Sequence, residues 1–74
     1  MDYLEVTDMH IILNGDRHDL APGTSVKSLL DLLGLDARIV AVELNRKVVK
    51  RDLYATTPVP AEAEVEIVSF VGGG

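Results

Sequence analysis

From Met9 the chain alternates. Met9, Ile11 and Leu13 point one way while His10, Ile12 and Asn14 point the other, the two-residue period of a strand over 9–14. Asn14-Gly15 follows directly, and both residues tolerate the positive φ of a tight hairpin turn, so a second strand is expected over 17–21. Then the period changes. In "APGTSVKSLLDLLGL" Pro22-Gly23 breaks the strand and Thr24 or Ser25 caps the first free amides of a helix. At about 100° per residue, Val26, Leu29, Leu30 and Leu33 share one narrow arc, with Lys27, Ser28 and Asp31 opposite. Gly34 suits the left-handed position that ends a helix, and Leu35 can fold back onto Leu30. A helix with one apolar face must pack on something.

The two-residue period returns in "IVAVELN" (39–45). Glu43 sets its polarity: Val40, Val42 and Leu44 face the core, and Ile39, Ala41 and Glu43 face away. Asn45-Arg46 turns the chain into a short strand, "KVV", at 47–49. Residues 50–62 carry two prolines and are expected to form a loop, with one helical turn near Asp52 to Tyr54 and Tyr54 as its anchor. A last strand covers 62–71, where Ala63, Val65 and Ile67 alternate with Glu62, Glu64 and Glu66. The order is hairpin, helix, strand, short strand, strand. It predicts an α+β fold with a mixed sheet and one main helix across one face, the first and last strands adjacent and parallel. That is the ubiquitin-like β-grasp arrangement, over residues 9–71. Residues 1–8, acidic and without a period, are expected to be an N-terminal extension, and 72–74 a flexible glycine tail.

The outward row of the last strand changes character along its length. Glu62, Glu64 and Glu66 give way to Val68 and Phe70, directly before Gly72, Gly73 and Gly74. Ile12 and Ala41 are predicted on the same face, so Ile12, Ala41, Val68 and Phe70 form a candidate docking patch. The plainer alternative is that Phe70 folds over the sheet edge into the core. Glycines lack Cβ and can lie in a channel too narrow for any side chain. Three of them span roughly 10 Å when extended, enough to carry the carboxylate of Gly74 into a partner's active site. A free carboxylate resists nucleophiles at neutral pH. Converted to an acyl-adenylate with ATP, it becomes electrophilic, and sulfide or a persulfide can displace AMP to leave a thiocarboxylate.

Composition narrows the field. At 74 residues one domain is expected, and the absence of cysteine excludes disulfides and Cys-ligated metals. A net charge of −5 opposes nucleic-acid binding and favours a basic protein partner. No apolar run reaches the roughly 20 residues of a membrane helix, so neither membrane nor nucleic acid is expected as a partner, and the cytoplasm is the default location. His10 and His18, on opposing strands of one hairpin, make a poor metal site. Glu62, Glu64 and Glu66 stand nearly 7 Å apart in turn, too wide to share one ion unaided. Lys47, Lys50 and Arg51 form a small basic cluster with no interleaved aromatics. No nucleophile, acid–base pair or cofactor loop is visible, so the chain is expected to be a substrate protein and not an enzyme.

"MHIILNGD", "PGTSVKSLLDLLGLD", "VAVELNRKVVKRD" and "VEIVSFVGGG" together resemble the ThiS family, the sulfur carriers of thiamine biosynthesis, over residues 9–74. The resemblance implies adenylation of Gly74 by a ThiF-type enzyme that consumes ATP, with no cofactor bound to the carrier itself. Sulfur from a donor protein then makes the thiocarboxylate, which thiazole synthase (ThiG) accepts. Gly72 and Gly73 would enter the partner's active site. The sequence departs from the family at residues 1–8, at Lys50, where proline is common, and before the last strand, where "VPAEAEVEI" lacks the usual Gly-Asp turn. Two alternatives stand beside it: a MoaD-like small subunit of molybdopterin synthase, and a ubiquitin-like modifier or plain interaction domain.

Overall fold

The Asn-Gly turn forms where its chemistry places it. Asn14 and Gly15 take φ of 49° and 90°, joining β1 (Met9–Leu13) to an antiparallel β2 (Asp16–Leu20). The structure, a computed structural model, describes residues 8–70. The expected extension up to residue 7 and the glycines at 72–74 lie outside the described residues.

The helix, α1 (Val26–Leu32), has its end groups satisfied on both sides. Of the two candidate caps it is Ser25 that acts, its hydroxyl accepting from the Ser28 amide at 3.0 Å. The Val26 and Lys27 amides donate to the carbonyls of Thr57 and Tyr54, both at 2.9 Å, so the proline-containing loop supplies what the helix start lacks. At the other end Gly34 takes φ 72°. The amides of Gly34 and Leu35 bond the carbonyls of Asp31 and Leu30 at 3.1 and 2.9 Å, the paired bonds of a Schellman motif.

Three further strands follow: β3 (Val40–Leu44), β4 (Lys47–Val49) and β5 (Glu64–Ser69). The sheet order is β2-β1-β5-β3-β4. β5 runs parallel to β1 and antiparallel to β3, so the last strand fills the centre of a mixed sheet. This is the expected β-grasp. The core lies between one sheet face and α1: Ile11, Val40, Val42 and Val65 from the strands meet Val26, Leu29 and Leu30, all under 2% exposed. Burial of each such side chain contributes about 1.5–3 kcal/mol.

Boundaries differ from expectation in the loops. Ile39 belongs not to a strand but to a 3₁₀ turn, Ala37–Ile39. Residues 51–53 form the anticipated helical turn one position early. Tyr54 and Val59, both buried, join the core from the loop, and the Tyr54 hydroxyl donates to the Val40 carbonyl at 3.3 Å. Glu62 is not part of β5. Its φ of 64° puts it in a turn closed by Ala63 N–H to Pro60 O at 3.3 Å. A carboxylate residue thus occupies the left-handed position that a Gly-Asp turn would give to glycine. Lys50 keeps a φ of −70°, the angle a proline ring imposes, so the departure there leaves the backbone path intact.

Leu29→Ala is expected to lower unfolding free energy by about 2–5 kcal/mol, whereas Val68→Ala on the opposite face should change it by less than about 0.5 kcal/mol. Urea denaturation measures both; equal losses would place Val68 in the core.

Candidate functional site

The alternation of β3 and β5 that fills the core with valines sends the intervening residues to the opposite face, which α1 does not cover. Register lines these residues up as cross-strand rungs. Ala41 stands opposite Val68 and Glu43 opposite Glu66. One rung further on, the Phe70 amide donates to the Ile39 carbonyl at 2.7 Å, continuing the ladder past the end of β5. Two apolar rungs therefore sit where the chain leaves the sheet toward Gly74, and a rung of two carboxylates sits behind them.

Phe70 is 60% exposed and Val68 56%. Phe70 does not fold into the core. Ala41 is half-buried between its neighbours, and Ile39 is exposed. Ile12 lies elsewhere on this face: it aligns with Glu64, four residues before Val68 along β5, or about 13 Å at the rise of a strand. The four patch residues thus share a face without forming one cluster. Gly72, Gly73 and Gly74 lie outside the described residues.

Two further apolar residues lie on this face beyond the four that the sequence predicts, Ile39 and Val48. Val48 is 71% exposed and pairs with Glu43 across β3 and β4. Three residues are too few to show a period, so only its partner across the turn assigns its side. Alternation places Ile39 outward as well, at a position the structure gives to the 3₁₀ turn.

Electrostatics on this face are uneven. Glu43 and Glu66 stand directly opposite one another, an arrangement that costs stability because like charges on paired strands repel. Glu64 has a counter-ion in Arg46 at 3.4 Å, but the pair is well exposed and contributes little. A cationic group docking here would relieve the repulsion. His10 and His18 stand apart in register, and among the described residues no group of three or more acidic or imidazole side chains is placed to hold a metal ion. Lys47, Lys50 and Arg51 are exposed, and the Arg51 guanidinium donates to the Ala37 carbonyl at 2.9 Å.

That bond supports the 3₁₀ turn behind the apolar rungs, and Asp36 secures the turn's start. Its carboxylate accepts from the Arg38 amide at 2.9 Å and from the Arg38 guanidinium at 2.8 Å. The Arg38 side-chain and backbone hydrogen bonds hold the Asp36 carboxyl down from 3.8 to about 2. Because the folded value is depressed, the stabilisation is complete above the ordinary carboxylate value and is lost as pH falls through about 2.

The comparisons with known proteins agree in direction. The family model of the ThiS family matches residues 11–74. The crystal structure of the thiamine biosynthesis protein (ThiS) from Geobacter metallireducens superposes with a TM-score of 0.77 at 35% identity, covering 89% of this chain and all of that one. Two curated relatives are thiazole synthases, from Paramagnetospirillum magneticum and Magnetococcus marinus, 39% and 41% identical over 66 residues. The match covers 89% of this chain but spans only 20% of the length of either relative.

An Asp36→Asn variant should be less stable than the unaltered protein at pH 5, and the gap should close as pH falls from about 4 to about 2. Urea midpoints measured across that range check it; a gap that persists below pH 2 would contradict the assignment.

Proposed function

The chain belongs to the ThiS family, and from that premise we propose that it is a sulfur carrier of thiamine biosynthesis whose Gly74 carboxylate is the cargo site. A ThiF-type enzyme binds the outer sheet face and admits Gly72 and Gly73 into a channel closed to side chains. The Gly74 carboxylate attacks the α-phosphorus of ATP, forming an acyl-adenylate and releasing pyrophosphate. The persulfide of a donor protein then attacks the activated carbonyl and AMP leaves. A thiol cleaves the resulting acyl disulfide, freeing the thiocarboxylate and leaving a disulfide on the donor, whereas free sulfide would give the thiocarboxylate directly. Thiazole synthase takes the sulfur, and the carrier returns with its carboxylate. The chain itself supplies no catalytic group; ATP is bound and consumed by the partner, and the cycle runs in the cytoplasm.

One observation carries this reading. The apolar rungs Ile39–Phe70 and Ala41–Val68 lie on the uncovered face at the end of β5 from which the chain runs to Gly74. Docking surface and cargo are thereby separated by only four positions of sequence, from Phe70 to Gly74. The stretch shared with much longer thiazole synthases supports the acceptor, since a carrier joined to its acceptor meets it at high effective concentration.

Purified protein mixed with ATP and a ThiF-type enzyme is expected to release pyrophosphate, and deletion of Gly73 and Gly74 to abolish that release. Activation that survives the deletion would overturn the proposal. Intact mass from cells should show an oxygen-to-sulfur exchange confined to the C-terminal peptide. Phe70→Asp should weaken partner binding by about tenfold or more with the fold unchanged by circular dichroism; unchanged binding would remove the apolar rungs from the interface.

A further inference from the structure

Both hairpins turn on the same dipeptide. Leu13-Asn14 ends β1 and Leu44-Asn45 ends β3, and Leu13 and Leu44 are both level with Val65 of β5. The two turns therefore bracket one residue of the strand that leads to the glycines. Asn14 and Asn45 each adopt a left-handed φ, 49° and 52°, where asparagine is among the few side chains tolerated.

Their side chains point back at β5. On the β1 side, the Ile12 and Asn14 amides donate to the Ala63 and Val65 carbonyls at 2.9 and 2.8 Å. The backbone then turns away, and the next position of β5, Ile67, has no β1 residue to pair with. The Asn14 side chain takes that place. Its Oδ1 accepts from the Ile67 amide at 2.8 Å and its Nδ2 donates to the Ile67 carbonyl at 3.3 Å. A primary amide carries donor and acceptor in one plane, so it stands in for a missing peptide group. On the β3 side, the Asn45 amide donates to the Glu64 carbonyl at 2.8 Å and its Oδ1 accepts from the Glu64 amide at 2.9 Å.

We propose that Asn14 and Asn45 are positioning residues that pin β5 from its two sides where β1 and β3 turn away, holding against fraying the strand that presents the docking face and leads on to Gly74. This rests on the carrier reading above. Hydrophobic pattern resists a slip of one residue, which would turn Val65 outward and Val68 inward. The hydrophobic pattern sets the register; the side-chain amides bond backbone groups, which recur every two residues, and so strengthen the hold on the strand without choosing between registers two apart.

Glycine at either position keeps the left-handed φ and removes only the amide, so Asn14→Gly and Asn45→Gly isolate the clamp from the turn. Native-state hydrogen exchange at the Ile67 amide in the first variant, and at the Glu64 amide in the second, is expected to quicken about tenfold, with amides of α1 unaffected. With a ThiF-type enzyme, kcat for pyrophosphate release should fall about tenfold while KM stays within about twofold, since the docking side chains are intact and only the strand that carries the tail is loosened. Unchanged exchange, unchanged kcat, or a loss carried by KM alone overturns the inference. Should Asn14→Gly fail to fold, Asn45→Gly decides by the same readouts. No pyrophosphate from the unaltered protein would sink the carrier reading itself, an outcome distinct from turnover that the variants leave untouched.

Discussion

Everything on the working face depends on β5 being hydrogen-bonded along both sides. A terminal strand at a sheet edge could fray or slip, and anything attached to it would wander. Here the last strand is inserted between β1 and β3, paired along β3 on one side and at its start with β1 on the other, where the Asn14 side chain carries the pairing on to Ile67, and its side chains are sorted onto two faces at once. One face supplies Val65 to the core, and the other supplies Val68 to the uncovered surface. The same pairing that stabilises the fold therefore sets where the chain leaves the sheet at Phe70.

The division between faces explains why so small a domain can leave apolar side chains in solvent. α1 covers one side only, and among the described residues seven side chains under 2% exposed form the centre of the core. With stability secured there, Phe70 and Val68 can stay exposed without loss to the core. The opposed Glu43 and Glu66 are consistent with the same division. Nothing in folding favours two facing carboxylates, and their repulsion is tolerable because the surface is wet and screened. It becomes useful if a cationic partner arrives.

Loops contribute more than connection. The segment between β4 and β5 donates Tyr54 and Val59 to the core and two carbonyls to the start of α1. The turn capped by Asp36 delivers the Ile39 carbonyl to Phe70. Support for the site thus comes in part from loop residues outside the patch, which satisfy backbone groups that would otherwise be left unpaired.

Periodicity alone placed the hairpin, the helix with its Schellman end, and the inward rows of the strands, because each is a local pattern of two or 3.6 residues. It also put Phe70 on the outer face, since alternation carries past the end of the strand. Tertiary structure decided the rest. That Ile12 lies about 13 Å from Val68 depends on the register between β1 and β5, which no stretch of sequence encodes by itself. Val48 needed its partner Glu43 to be assigned a side, and Tyr54 and Val59 needed a helix to pack against. The two asparagines were legible as turn residues and not as clamps, because their side-chain partners lie 53 and 19 positions away. Local pattern is written in neighbours along the chain; register and reach are settled only when distant neighbours meet.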